Sequence, residues 1–248
     1  MARPPEPPSV PDIPPLPLTI TDLDSSGAGV AHHEGLTVHV AQALPHEQVT
    51  ARLLHTSQHR RADGTRDAWA ELVTISVPSP DRVETVCPAY GRCGGCVLQH
   101  FSPSAQGEWK RARVETALAK VLRLAPGAPS VAPCVPSPHA VAYRNQAKYV
   151  VGRNAEGRIV LGAYAPRSHD LVDLAGCRLG EEPQDVIAAF LRDWIETHAV
   201  RPYDERTRTG LLRYVVIRTN GKGRALVTLI TARREFAEGG ALANDLLA

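Results

Sequence analysis

Apolar and polar residues alternate with a period near two over much of the stretch from Leu16 to Val77, and this pattern predicts strands rather than helices. The β-rich runs are Leu18-Thr19-Ile20, Leu36 to Val40, Gln48 to Leu53 and Trp69 to Val77. Turn signals separate them at Asp24-Ser25-Ser26-Gly27, Glu34-Gly35 and Arg61-Ala62-Asp63-Gly64. Four or five short strands within about sixty residues suit a small closed barrel of the OB type, a shape that often binds single-stranded nucleic acid. Beyond residue 100 the period changes. Ser102-Pro103 supplies an N-cap with proline at the first helical position, and Trp109, Val114, Leu118, Val121 and Leu122 recur at helical spacing. Ala147 to Val151 and Ile159 to Tyr164 read as strands joined by Asn154-Ala155-Glu156-Gly157. Pro183 to about His198 reads as a helix with Val186, Ile187, Phe190, Leu191, Trp194 and Ile195 on one face. Leu212 to Thr219 and Ala225 to Thr231 flank Asn220-Gly221, a hairpin signal, and a last helical pattern begins near Ala241.

Composition narrows the class. The chain has 248 residues, 43% hydrophobic and 22% charged, which is enough for one large domain or two smaller ones. No apolar run approaches the roughly 20 residues of a membrane span. The opening holds eight prolines by Pro17 and has no apolar core of a secretory signal, so it reads as an extended, disordered tail. Five cysteines, three of them clustered, argue against a secreted disulfide scaffold and for a reducing cytoplasm. The net charge of +2 says little, but its distribution says more. Residues 1–50 carry Arg3 against Glu6, Asp12, Asp22, Asp24, Glu34 and Glu47, whereas 201–224 carry seven bases against Asp204 and Glu205. Two further basic stretches hold Lys110, Arg111, Arg113, Lys120 and Arg123, then Arg144, Lys148, Arg153, Arg158 and Arg167. Clusters of this kind can neutralise phosphates. Against that, only four of the 28 bases are lysine, and a bias toward arginine populates any solvated face.

The sharpest local signal is Cys87-Pro88-Ala89-Tyr90-Gly91-Arg92-Cys93-Gly94-Gly95-Cys96. Three thiolates at this spacing can converge on one centre because the glycines let the backbone wrap closely. Both structural zinc and an iron–sulfur cluster accept four such ligands. Cys134, Cys177 and His100 are the candidates for the fourth, and the residues alone decide neither the ligand nor the metal.

Several segments in order resemble the N-terminal part of bacterial RNA uracil-5-methyltransferases that carry an iron–sulfur cluster, in particular those acting on 23S ribosomal RNA. Asp24 to Ala31 and Ala43 to Val49 resemble the TRAM domain, an OB-like RNA-binding barrel. Pro78 to Val83 leads into Cys87 to Cys96 and then Leu98-Gln99-His100, as in the family's cluster segment. Tyr143 to Gln146, Leu161-Gly162, Asp170 to Asp173 with Cys177, and Gly210 to Arg213 resemble its central domain. The resemblance runs from about Leu16 to Thr231.

It implies a multi-domain chain: a disordered tail over 1–14, a TRAM domain over 15–78, an iron–sulfur loop over 79–100, and a central α/β (α+β) domain over 101–248, incomplete at its C-terminus. Cys87, Cys93, Cys96 and Cys177 are implied as ligands of a [4Fe–4S] cluster, with Cys134 a linker thiol and His100 a packing residue. Arg52, Arg144, Lys148 and Arg213 are expected to meet RNA, either 23S rRNA or tRNA, with no membrane partner. In the family AdoMet sits in a Rossmann-like domain with a cysteine nucleophile. No strand, glycine-rich turn and helix follow Cys177, so this domain is expected to be absent, no catalytic or AdoMet-binding residue is assigned, and the chain alone is expected to be inactive without a separate or missing catalytic domain. The competing reading is a stand-alone, non-enzymatic RNA-binding module holding an iron–sulfur cluster or zinc.

Overall fold

The computed structural model describes residues 14–122, 130–166 and 168–248; the proline-rich opening, Arg123 and Arg167 lie outside them. The chain forms two compact units, one of Met1–Glu84 with Val97–Pro136 and one of Thr85–Cys96 with Ser137–Ala248. The cysteine loop therefore belongs to the second unit although the chain on both sides of it belongs to the first.

In the first unit, β1 (Leu16–Thr19), β2 (Asp22–Leu23), β3 (Gly29–His33), β4 (Leu36–Val40), β5 (Gln48–Arg60) and β6 (Arg66–Val77) make one sheet in the order β1-β5-β6-β4-β3-β2. All neighbours are antiparallel except β4 and β6, which run parallel. Leu18, Ile20, Ala31, Val38, Val40, Val49, Ala51, Ala68 and Ala70 form one buried cluster within it, so the sheet curls around its own apolar face. β5 extends past Leu53 to Arg60, seven residues beyond the run its hydrophobic pattern marks, because pairing with β6 as far as Arg60–Arg66 continues where apolar alternation has stopped. Glu47, fully buried, ties the sheet to the segment after it. Its carboxylate accepts from the amides of Leu44 (2.8 Å) and Ser79 (3.1 Å) and from Arg82 Nε (2.6 Å) and Nη2 (2.9 Å).

Helix α1 (Pro103–Leu122) begins where Ser102 Oγ accepts from the Ala105 amide at 3.3 Å. Its apolar packing among the described residues is on its first turns. Trp109 and Ala105 pack on Leu23, Leu44 and Phe101, whereas Val114, Leu118 and Val121 are exposed.

In the second unit, β7 (Gln146–Arg153), β8 (Ile159–Tyr164), β9 (Leu171–Asp173), β10 (Leu212–Thr219) and β11 (Ala225–Thr231) form an antiparallel sheet in the order β11-β10-β7-β8-β9. Helices α2 (Glu182–Thr197) and α3 (Gly239–Leu247) cover one face. Tyr149, Val151, Ile159, Leu161, Val215 and Ile217 project from that face onto Ala188, Leu191, Trp194 and Ile195. Trp194 Nε1 donates to Asp245 at 2.8 Å and pins α3 to α2. Asn220-Gly221 does lie between β10 and β11, but as part of a five-residue loop: Asn220 Oδ1 accepts from the Lys222 and Arg224 amides, and Gly221 and Gly223 both have positive φ. Leu191, buried completely at the centre of this core, is a direct test of it. Leu191→Ala should cost about 2–5 kcal/mol, read as a lowered urea midpoint at unchanged m.

Candidate functional site

The cysteine loop is held by its own short-range bonds. The Tyr90 amide donates to the Cys87 carbonyl and the Cys93 amide to the Ala89 carbonyl, each at 3.1 Å. Gly94, at φ 66°, presents its bare Cα to Pro166, whose ring would stand 2.5 Å from any Cβ there, so only glycine lets the loop seat against the chain after β8. Cys177 follows β9 in a turn closed by its own amide on the Leu174 carbonyl (3.0 Å), with Gly176 at φ 71°. Burial pushes the Cys96 thiol up, and the negative charges of Cys93, Cys87 and Cys177 push it further, against Arg144, which pulls it down. Cys87, Cys93 and Cys177 are thus all near enough to act on Cys96. Among the described residues, however, no three His, Cys, Asp or Glu side chains close on a single ion.

The other two ligand candidates lie elsewhere. Cys134 is exposed, in the first unit. His100 is also in the first unit, buried to 1% exposure, and burial together with the Arg82 charge depresses it to about 4 against the opposing pull of Glu47.

The four basic residues expected at RNA are divided between the two units. Arg52 lies on β5 in the first unit, 3.8 Å from Glu71 and half exposed. That unit also carries a cavity of about 910 Å³ lined by Asp22, Asp24, Asp63 and Asp67, with His39 bridging Asp24 (2.7 Å) and Asp67 (3.0 Å) and stacked on Trp69. His39 hydrogen bonding holds the Asp67 carboxyl below its ordinary range, and the Ser26 and Ala28 donors with His39 outweigh burial to do the same for Asp24. Ionised carboxylates make this hollow unsuited to phosphate. Arg144, Lys148 and Arg213 all belong to the second unit. Arg144 is pinned by its backbone, its amide donating to Leu179 and its carbonyl accepting from Gln184 Nε2 at 2.9 Å, and its charge reaches Cys96. Lys148 and Arg213 meet around Tyr214: Lys148 Nζ lies 4.1 Å from the Tyr214 ring centre, and the Arg213 guanidinium, paired with Glu205, lies 4.5 Å from Tyr203 and 6.0 Å from Tyr214. The tyrosines are what the charge pattern missed.

The Gly27-Ala28-Gly29 turn offers no nucleotide site. It leads into β3 rather than a helix, and a Cβ at Gly29 would stand 2.9 Å from the Ala43 carbonyl, so these glycines serve close packing. No described helix is long and apolar enough to cross a membrane.

No family model matches the chain. An uncharacterized RNA methyltransferase of Geobacter sulfurreducens is 36% identical over 231 residues, 92% of this chain and 45% of the relative. Another from Clostridium tetani is 33% identical over 230 residues, 92% of this chain and 48% of the relative. The chain spans about half the length of the curated relatives it matches. Among solved structures, a tRNA (uracil-54, C5)-methyltransferase of Pyrococcus abyssi, in complex with S-adenosyl-L-homocysteine, superposes with a TM-score of 0.63 at 22% identity, covering 91% of this chain and 48% of the other.

This superposition corrects the expected fold class. The expected class was a TRAM barrel, iron–sulfur loop and α/β central domain with the Rossmann-like methyltransferase domain absent; that absence does not stand, because 91% of the chain matches the fold of a methyltransferase over 48% of that protein's length. The expectation took one signature, a strand, glycine-rich turn and helix, as the mark of that fold; a methyltransferase backbone also contains long stretches without it. The expectation of an inactive chain needing a separate catalytic domain rested on the same absence and has no support of its own. The homologues of this chain are RNA methyltransferases, matched over about nine-tenths of its length.

Proposed function

We propose that the polypeptide containing this chain is an AdoMet-dependent RNA uracil-5-methyltransferase, in which this part binds RNA and a [4Fe–4S] cluster. The observation that carries the reading is continuous similarity to RNA methyltransferases through both units, including the cysteine loop. AdoMet, when bound, supplies the methyl group.

Cys87, Cys93, Cys96 and Cys177 would hold the cluster. The donor set is chemically apt: Cys93, Cys87 and Cys177, all in the second unit with Cys96, act on its thiol, and four thiolates are the ligand set such a cluster takes. The cluster would clamp the 85–96 loop to the turn after β9.

Lys148, Arg213 and Arg144 would meet the RNA backbone from the second unit, and Arg52 from the first. Binding should weaken steeply with salt, and neutralising all four bases should flatten the slope of log K against log salt by about 0.7 to 0.9 for each phosphate that loses its cation. The activity test supplies the polypeptide with methyl-labelled AdoMet and unmodified ribosomal or transfer RNA. Label recovered in 5-methyluridine is the expected result; label in another nucleotide would overturn the uracil reading.

A further inference from the structure

β10 departs from regular alternation at one place. Leu212 pairs with Thr231 and Tyr214 with Ile230, so Arg213 is an extra residue in the strand, a bulge. Leu212, Val215 and Ile217 point into the core, each fully buried. The bulge therefore sends two consecutive side chains, Arg213 and Tyr214, to the opposite face, where a regular strand would send one of them inward. The loop before it supplies a second ring. The Tyr203 amide donates to the Leu212 carbonyl at 2.9 Å, and Gly210, at φ 101°, sits so close to the Pro202 backbone that a Cβ would stand 2.0 Å from its carbonyl oxygen. This fold-back stands Tyr203 beside Arg213, and Lys148 reaches Tyr214 from the neighbouring strand β7.

Two part-exposed aromatic rings, each with a cation over one face, on a sheet face that also carries Arg218, match the chemistry of a single strand of nucleic acid, in which bases stack on the remaining ring surface and phosphates take the charge. Two acids, Asp204 and Glu205, follow Tyr203 in the chain, and Glu205 pairs with the Arg213 guanidinium that lies over Tyr203.

We propose that Tyr203 and Tyr214 form a stacking platform for unpaired bases of RNA, with Lys148 and Arg213 at the phosphates beside them. The proposal rests on the RNA reading above and adds to it the surface and the single-stranded character of what is bound.

The test measures binding of a fluorescent single-stranded oligouridylate and of a blunt RNA duplex across a range of salt. Tyr203→Ala with Tyr214→Ala should weaken single-strand binding about tenfold or more at every salt concentration, leave the salt slope unchanged, and affect the duplex little. Lys148→Ala should instead lower the slope. Tyr203→Phe with Tyr214→Phe keeps both rings and should bind as the parent does, which also controls for folding. If the parent binds neither RNA, the RNA reading fails and the platform with it. If the parent binds but the alanine pair binds the single strand equally well, or loses both RNAs alike, or the phenylalanine pair fails, the platform is overturned while the RNA reading survives.

Discussion

Serine in place of Cys87, Cys93, Cys96 or Cys177 is expected to abolish iron and sulfide binding, while Cys134→Ser leaves both intact. Protein prepared without oxygen should be brown and carry about four irons and four sulfides per chain, as a four-cysteine cluster requires. The effect on stability should be the largest of any single side-chain change. The loop from Thr85 to Cys96 belongs to the second unit but is flanked on both sides by chain of the first, so its attachment depends on a few close approaches such as Gly94 on Pro166. Binding free energy at a cysteine-held centre adds directly to folding, and structural zinc sites set the scale at about 10–16 kcal/mol. A core truncation such as Leu191→Ala costs about 2–5 kcal/mol by comparison. Iron and sulfide analysis with thermal unfolding of each variant decides the matter. One zinc and no sulfide would replace the cluster with a single ion, and iron retained by Cys177→Ser would move the fourth ligand elsewhere.

The first unit should lose stability on mild acidification, and His100 should be the cause. Its folded-state pKa is near 4, below the ordinary 6.5, because burial and then the Arg82 charge oppose the imidazolium. Between those values the unfolded chain binds a proton that the folded chain refuses, so stability falls as pH drops from about 6.5 toward 4 and levels off below. A gap of this size corresponds to about 3 kcal/mol. Glu47 extends the loss to lower pH. Burial works to raise its carboxyl, but Arg82 and the Leu44 and Ser79 amides outweigh burial and hold it below 4.5, so its contribution is present above 4.5 and disappears as pH falls through the depressed folded value. Urea unfolding of the parent and of His100→Gln from pH 7.5 to 4 separates the two. The variant should lose most of the slope between 6.5 and 4.5 and keep the steeper fall beneath it. Identical profiles would show that His100 is not the source.

Much of the secondary structure was legible because local patterns carry it. β4, β10 and β11 lie where alternation and turn residues place them, and α2 starts one residue from its expected boundary. Local patterns fail where pairing is long-range. β5 runs on to Arg60 because β6 offers a partner, and β4 lies parallel to β6, a neighbour that no short-range signal names. The candidate site divides in the same way. Spacing and glycine content marked Cys87, Cys93 and Cys96 as a group, but nothing near Cys177 in the chain connects it to them; its effect on Cys96 exists only in the folded molecule. Charge clustering pointed to Lys148 and Arg213, but it could not show that both meet Tyr214 across neighbouring strands.

What the sequence determined by itself is what one stretch of chain can specify: periods of two and 3.6, the turns between them, three cysteines within ten residues, and a likeness to RNA methyltransferases spread along the chain. The tertiary structure decided which distant groups share an environment. It brought the 85–96 loop into the second unit and turned Arg213 and Tyr214 to one face through a bulge that has no sequence signature. It also buried His100 beside Arg82 and Glu47, where the imidazole stays neutral. The physical reason is common to all three. Periodicity is set by backbone geometry within a few residues, whereas register, desolvation and charge–charge distance depend on partners tens of residues away, which exist only once the chain has folded.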